Sequence, residues 1–307
     1  MKAIIPRKKR AKVLKRHTAL VTKPDKEVGQ YLATEFADKL EVVKLLAMNT
    51  FSQTNIREMS EPKLSIFIKK KSPKIRRLIH HSGLAHLLYG FYCFLIGYLI
   101  MNSQGINKGA QKKGFGTHLR FQVLSQRHLT QGLLVVNELA RGVLYFYGLD
   151  RLEGALRPQW ISAYQGAMTV ARVAHHLKML GVKTLLPNHI EDMFLGIDLL
   201  APLHGNRRGL CLQITSSIKH GYSRLLRLNG KLAHTYPKED QKKIDHILHG
   251  TNRFNTSHRS HWTPLYLSAG TADIHPLVLD WCPELFLSLW VTLRQIQPDL
   301  PIFSQRH

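Results

Sequence analysis

Gly196-Ile197-Asp198-Leu199-Leu200-Ala201 and Leu210-Cys211-Leu212-Gln213-Ile214-Thr215 decide how this chain is read. Each is a short, largely apolar run bounded by turn formers, which is the pattern of a buried β-strand. Between them lies His204-Gly205-Asn206-Arg207-Arg208-Gly209, a polar stretch suited to a tight reversal. The two runs are therefore expected to pair as neighbours. Asp198 and Gln213 are their polar exceptions. Facing side chains on adjacent strands lie about 5 Å apart, close enough for a carboxylate and an amide to share one ion.

Working outward, Ser162 to Leu180 predicts an amphipathic helix, with Ala167, Val170, Val173, Ala174, Leu177 and Leu180 on its inner side. Gly181 suits the residue after its C-terminus. Val182 to Leu186 predicts a short strand. Downstream, Ser217 to Ser260 reads as a polar, basic stretch, and Pro264 to Ser268 as a further strand. Leu277 to Ile296 carries Leu, Trp and Phe at helical spacing, with Pro283 as a break.

The first half reads as helical. Val28, Tyr31, Leu32, Phe36, Leu40, Val43 and Leu46 predict an amphipathic helix over residues 27–48. A basic run follows at Lys69, Lys70, Lys71, Lys74, Arg76 and Arg77, where Pro73 argues against an unbroken helix. Leu84 to Met101 is apolar and nearly uncharged, at the lower length limit for a membrane span. Its histidine, its tyrosines and the lack of a second such run favour a buried central helix. Gly83, Gly90 and Gly97 recur every seventh residue, which permits close helix packing. Asn102 to Gly116 predicts a Gly- and Lys-rich loop, including Lys112 and Lys113. Leu119 to Tyr147 resumes helical spacing, and Pro158 marks a boundary. The expected division is a basic arm over 1–26, a helical basic domain over 27–157 and a sheet-containing domain over 158–307.

Charge narrows the partner. The 307 residues carry 44 Lys and Arg against 20 Asp and Glu, a net +24. Such an excess favours a polyanion, because cations that neutralise phosphates release condensed counterions. Nucleic acid is the expected partner, with DNA and RNA equally open and an anionic membrane as the alternative. Arg7, Lys8, Lys9 and Arg10 open the arm, and no acid precedes Asp25. Arg207 and Arg208 add charge at the strand turn. Three scattered cysteines suggest neither a disulfide framework nor a thiolate zinc site, hence a reducing, cytoplasmic setting.

The order helix, Gly, strand, strand with Gly-Ile-Asp, turn, strand with Gln resembles the PD-(D/E)XK nuclease superfamily. The resemblance covers about residues 160 to 220. It implies an α/β fold: a helical N-terminal half plus a restriction-endonuclease-like mixed sheet flanked by helices. It implies a magnesium-dependent nuclease in which Asp198, Gln213 and the Ile214 carbonyl hold the ion. Gln165 falls near a helix position where many members have Glu. The family's lysine position is Thr215 here, so Lys219 or Lys183 would have to supply the cation. Glu191 and Asp192, just before the first strand, are candidates to complete a metal site that one carboxylate leaves thin.

Other features carry less. His246 and His249, then His258 and His261, form two His-x-x-His pairs, better read as a cationic face than as a zinc site. Ser216 and Ser217 lack a nucleophile elbow and suit a helix cap. Trp281 and Trp290 fit a core, and Trp262 a ligand contact. The sequence thus predicts a metal-dependent nuclease. A non-catalytic nucleic-acid binder on a decayed nuclease fold and a membrane-attached basic protein are the alternatives.

Overall fold

A computed structural model describes residues 25–103, 115–188, 191–192, 195–203, 208–217, 224–227, 238–270, 276–279 and 283–296. The fold is mixed α/β and mainly helical. Among the described residues, α1 (Asp25–Gln53), α2 (Glu61–Arg76), α3 (Ser82–Ser103), α4 (Phe115–Val135), α5 (Glu138–Arg151) and α6 (Leu156–Met179) precede the sheet. Then come β1 (Leu199–Leu203), β2 (Arg208–Ser217), β3 (Arg224–Arg227), α7 (Lys238–His258), β4 (His261–Gly270) and α8 (Pro283–Ile296).

α3 is the axis of the helical half. Fifteen of its 22 residues are buried, because its apolar residues leave no polar face to turn outward. By length and composition it could cross a membrane, yet here protein covers it. α1 lays Phe36, Leu40 and Val43 into the same core, one face at the predicted spacing. The glycine stripe of α3 meets α4. A Cβ at Gly90 would stand 2.8 Å from the Leu129 backbone nitrogen, and one at Gly83 would stand 2.6 Å from Val135. Trp160 fills the far side, edge-on to Phe91 at 5.2 Å and to Phe94 at 5.1 Å. Within this core, Arg76 reaches His86 at 3.2 Å and His86 reaches His128 at 2.9 Å. Burial, first, and the charge of its neighbours hold His128 down to about 3, so it stays neutral.

The sheet has the order β1-β2-β4-β3. β2 and β4 run parallel at its centre, and the outer pairs are antiparallel. A parallel neighbour requires a crossover, and α7 lies within that connection. The central strands are covered on both faces. Leu210, Leu212, Ile214, Leu265 and Leu267 pack against α6 and α8. Cys211 and Tyr266 face Ile244, Ile247 and Phe254 of α7. α6 serves both halves: Trp160, Tyr164, Ala167 and Met168 join the helical core, and Val170, Val173, Ala174 and Leu177 join the sheet. Pro158 sits in its first turn, so the expected boundary falls at the start of a shared helix.

Several expectations are corrected. Residues 182–186 form no strand; Leu185 makes an isolated bridge to Leu200. Pro73 lies inside α2, one turn from its end, where its missing N–H costs a single bond. The stretch from 217 to 260 contains β3 and the whole of α7, not only polar coil. Pro283 starts α8, as its fixed φ allows at a first helical position, and does not interrupt a longer helix. Ser216 and Ser217 are the last residues of β2. Trp262 is 7% exposed and edge-on to Phe254 at 5.3 Å, so it belongs to the core. Trp290 is 40% exposed, with the Arg294 guanidinium 5.6 Å from its ring centre. Trp281 lies outside the described residues.

Gly90→Ala pushes a methyl into the Leu129 backbone, which cannot swing aside as a side chain can. The expected loss is about 1–3 kcal/mol of unfolding free energy, the usual cost of overpacking. Urea titration of the two proteins checks it.

Candidate functional site

Asp198 stands where β1 begins. Its N–H donates to the Leu212 carbonyl at 2.8 Å, which holds the residue against β2. Its carboxylate Oδ2 accepts from the Gln213 amide Nε2 at 2.8 Å and from the Ile214 N–H at 2.6 Å. The aspartate and the glutamine are therefore bonded to each other. Gly196 makes the approach feasible. It adopts φ +64°, and a Cβ there would meet Gln213 Oε1 at 2.7 Å and His246 Nδ1 at 2.9 Å.

Asp192 joins Asp198 in lining a cavity of about 340 Å3. α4 supplies Gln122 and Gln126 to the opposite wall, and α6 supplies Gly166 and Thr169. The cavity thus lies in the seam between the helical half and the sheet. Gln165 is one residue away on α6, and its carbonyl accepts from Thr169 Oγ1. Both carboxylates are half-buried. Burial, then the nearby Asp198 charge, raises Asp192 to about 8. Burial raises Asp198 to about 7, opposed by the Ile214 N–H, the Lys243 charge and the Gln213 amide. Burial thus disfavours the charged form of both carboxyls, and the Asp198 charge adds to the effect at Asp192.

A positive charge comes from an unexpected element. Lys243, on α7, donates its ammonium to Thr215 Oγ1 at 2.6 Å. Its charge is also felt at Asp198. A lysine thus reaches from a helix to the strand position where the sequence has threonine. Tyr266 on β4 adds a hydroxyl on this face, donating to Asp240 at 2.7 Å.

The remaining predicted residues are placed as follows. Glu191 caps a turn: its Oε2 accepts from the Asn188 N–H at 2.8 Å, and its own N–H donates to Asn188 Oδ1 at 3.0 Å. Ile214 lines the cavity, and its N–H is the one bonded to Asp198. Lys183 is exposed and is not among the residues that line the cavity. Lys69, Lys70, Lys74 and Arg77 are exposed on or just beyond α2. Lys71 and Arg76 turn inward, to Thr50 and His86. Arg208 is exposed at the start of β2. Lys219, Arg207, Lys112, Lys113 and the arm residues Arg7, Lys8, Lys9 and Arg10 lie outside the described residues.

Sequence reasoning missed Lys243. Its signal was Ile244, Ile247, Thr251 and Phe254, a helical stripe hidden among charged residues. It also missed Gln122 and Gln126, an i, i+4 pair of amides on one face of α4. No cluster of three or more His, Cys, Asp or Glu placed to hold a metal ion is present among the described residues. No protein-family model, curated protein or solved structure matches this chain.

Raised carboxyl values have a definite linkage sign. The unfolded chain releases these protons near pH 4, the folded chain only near 7 and 8. The folded state therefore loses stability as pH rises from about 4 to about 8. Asp192→Asn removes one such carboxyl, the one that both burial and the Asp198 charge raise. Its unfolding free energy is expected to fall less than wild type's between pH 5 and pH 8 without divalent metal. Urea titrations of both proteins at the two pH values check this, and the histidine contributions, of opposite sign, cancel in the comparison.

Proposed function

We propose that this chain is a metal-dependent nuclease with a restriction-endonuclease-like core that acts on DNA or RNA phosphodiester bonds. One observation carries the reading: Asp192 and Asp198 share a cavity next to Gln213, and Lys243 brings its ammonium to Thr215. The chain order supports it too: α6, β1 and β2 follow one another as in the resemblance, with a single Leu185–Leu200 bridge where the resemblance has a strand.

The residues fit a magnesium ion. Two hard carboxylate oxygens are its preferred protein donors, and the raised values of both carboxyls are what a divalent cation would relieve. Asp192 and Asp198 would hold it. When bound, magnesium supplies positive charge against phosphate oxygens and acidifies water. Gln213 has a different part: its NH2 group is committed to Asp198, so it orients the carboxylate.

Hydrolysis joins water to phosphorus and breaks the bond to one ester oxygen. Negative charge grows on the phosphate oxygens meanwhile. Lys243 is the cation that this chain brings to that charge, held in place by Thr215. Lys69, Lys70, Lys74 and Arg77 grip the backbone without reading sequence. The non-catalytic alternative rests on the Ile214 N–H bond, which makes Asp198 a clamp on the strand end whether or not chemistry follows.

The full chain is expected to cut nucleic acid with Mg2+ or Mn2+. Asp198→Ala abolishes cutting. Lys243→Ala slows it by roughly 10²–10³, the usual cost of losing one charge-stabilising donor. Adding Thr215→Lys to Lys243→Ala recovers part of the rate. Thermal melting gives a second readout: Mg2+ stabilises wild type more at pH 8 than at pH 6, because the carboxyls must lose protons to bind it. The Asp192→Asn, Asp198→Asn double variant shows no such gain. If wild type neither cuts nor responds to Mg2+, the nuclease reading is wrong.

A further inference from the structure

A second cavity, of about 360 Å3, adjoins the first. Gln122 and Gln126 of α4 line both, so the two share a wall. α3 contributes Phe94 and Tyr98, and α6 contributes Gln159 and Ser162. Its chemistry is unlike that of the carboxylate cavity. None of its lining residues is Lys, Arg, Asp or Glu. The Phe94 and Tyr98 rings are near-parallel, at 6.4 Å and 23°. Ser125 is 3% exposed, lines this cavity, and its Oγ has no hydrogen-bond partner. A buried hydroxyl left without a partner costs free energy unless something bonds to it.

These features select a ligand. His118 also lines it, with Nδ1 engaged by the Gly97 carbonyl at 2.9 Å, and a phosphate or carboxylate would find no Lys or Arg there. A planar, uncharged ring with donors and acceptors on its edge would find aromatic surface, three amides and an unsatisfied hydroxyl. An amide offers both a donor and an acceptor, so it can pair with a base edge. The volume lies within the range of small-molecule sites. We propose that this cavity receives one unpaired nucleobase of the strand whose backbone lies at Asp192 and Asp198. The substrate is then single-stranded, or unstacks a base on binding. The proposal rests on the nucleic-acid part of the reading above but needs no cleavage.

The test compares two single strands of equal length and charge, one carrying bases and one abasic throughout. Their affinities for the full-length protein are measured by fluorescence anisotropy without divalent metal. Wild type is expected to bind the base-bearing strand roughly tenfold more tightly, in line with one stacked base. Gln159→Leu is expected to bring the ratio close to one and leave the abasic affinity unchanged. Gln159 and Ser125 line the second cavity and not the first, so Ser125→Ala is the companion variant should Gln159→Leu misfold. A reduced ratio in either folded variant supports the proposal. Equal affinities in wild type overturn it, as does a full preference surviving in both variants. Absence of cutting with the preference intact removes the nuclease reading and leaves the base pocket standing.

Discussion

The structure depends on the double burial of α6. Its first turns lock into the helical half through Trp160 and Tyr164, and its later turns carry the sheet on Val173 and Leu177. A fully buried large apolar side chain contributes roughly 1.5–3 kcal/mol. Separating the halves would expose several on each side. The two cores therefore hold a fixed relation, and the seam between them is a place rather than a gap. The carboxylates of Asp192 and Asp198 open into that seam, opposite Gln122 and Gln126. Neither half alone encloses the cavity.

Within the seam, local bonds set the chemistry. Asp198 is pinned at both ends, by its N–H to Leu212 and by its carboxylate to Ile214 and Gln213. Such a group keeps its position when its charge changes. The raised values of the two carboxyls are the cost of bringing them together out of water.

Part of this was legible in the sequence because local pattern and final structure agree. The short apolar runs around Asp198 and Gln213 pointed to two neighbouring strands, and the turn residues between them to a reversal, as the antiparallel pairing bears out. The glycines at 83, 90 and 97 announced a close helix contact, although not its partner. What was illegible depends on long-range assembly. Nothing near Lys243 in sequence says that its ammonium will reach Thr215, 28 positions earlier. Trp262 and Trp290 exchanged their expected roles because a strand residue under a helix is buried whatever its neighbours in sequence. The helical stripe of α7 was masked by lysines and histidines on its outer face, which dominate any reading by composition.

α7 brings one more consequence. A Cβ at Gly250 would collide with the carbonyl of Leu195, so this helix is pressed against the segment that leads into Asp198. The acids, the amide and the threonine all precede residue 216, whereas the ammonium arrives only with the crossover. The connection that makes β2 and β4 parallel neighbours is therefore also the one that carries Lys243 to Thr215, so the strand pairing and the placing of this charge are joined in one stretch of chain.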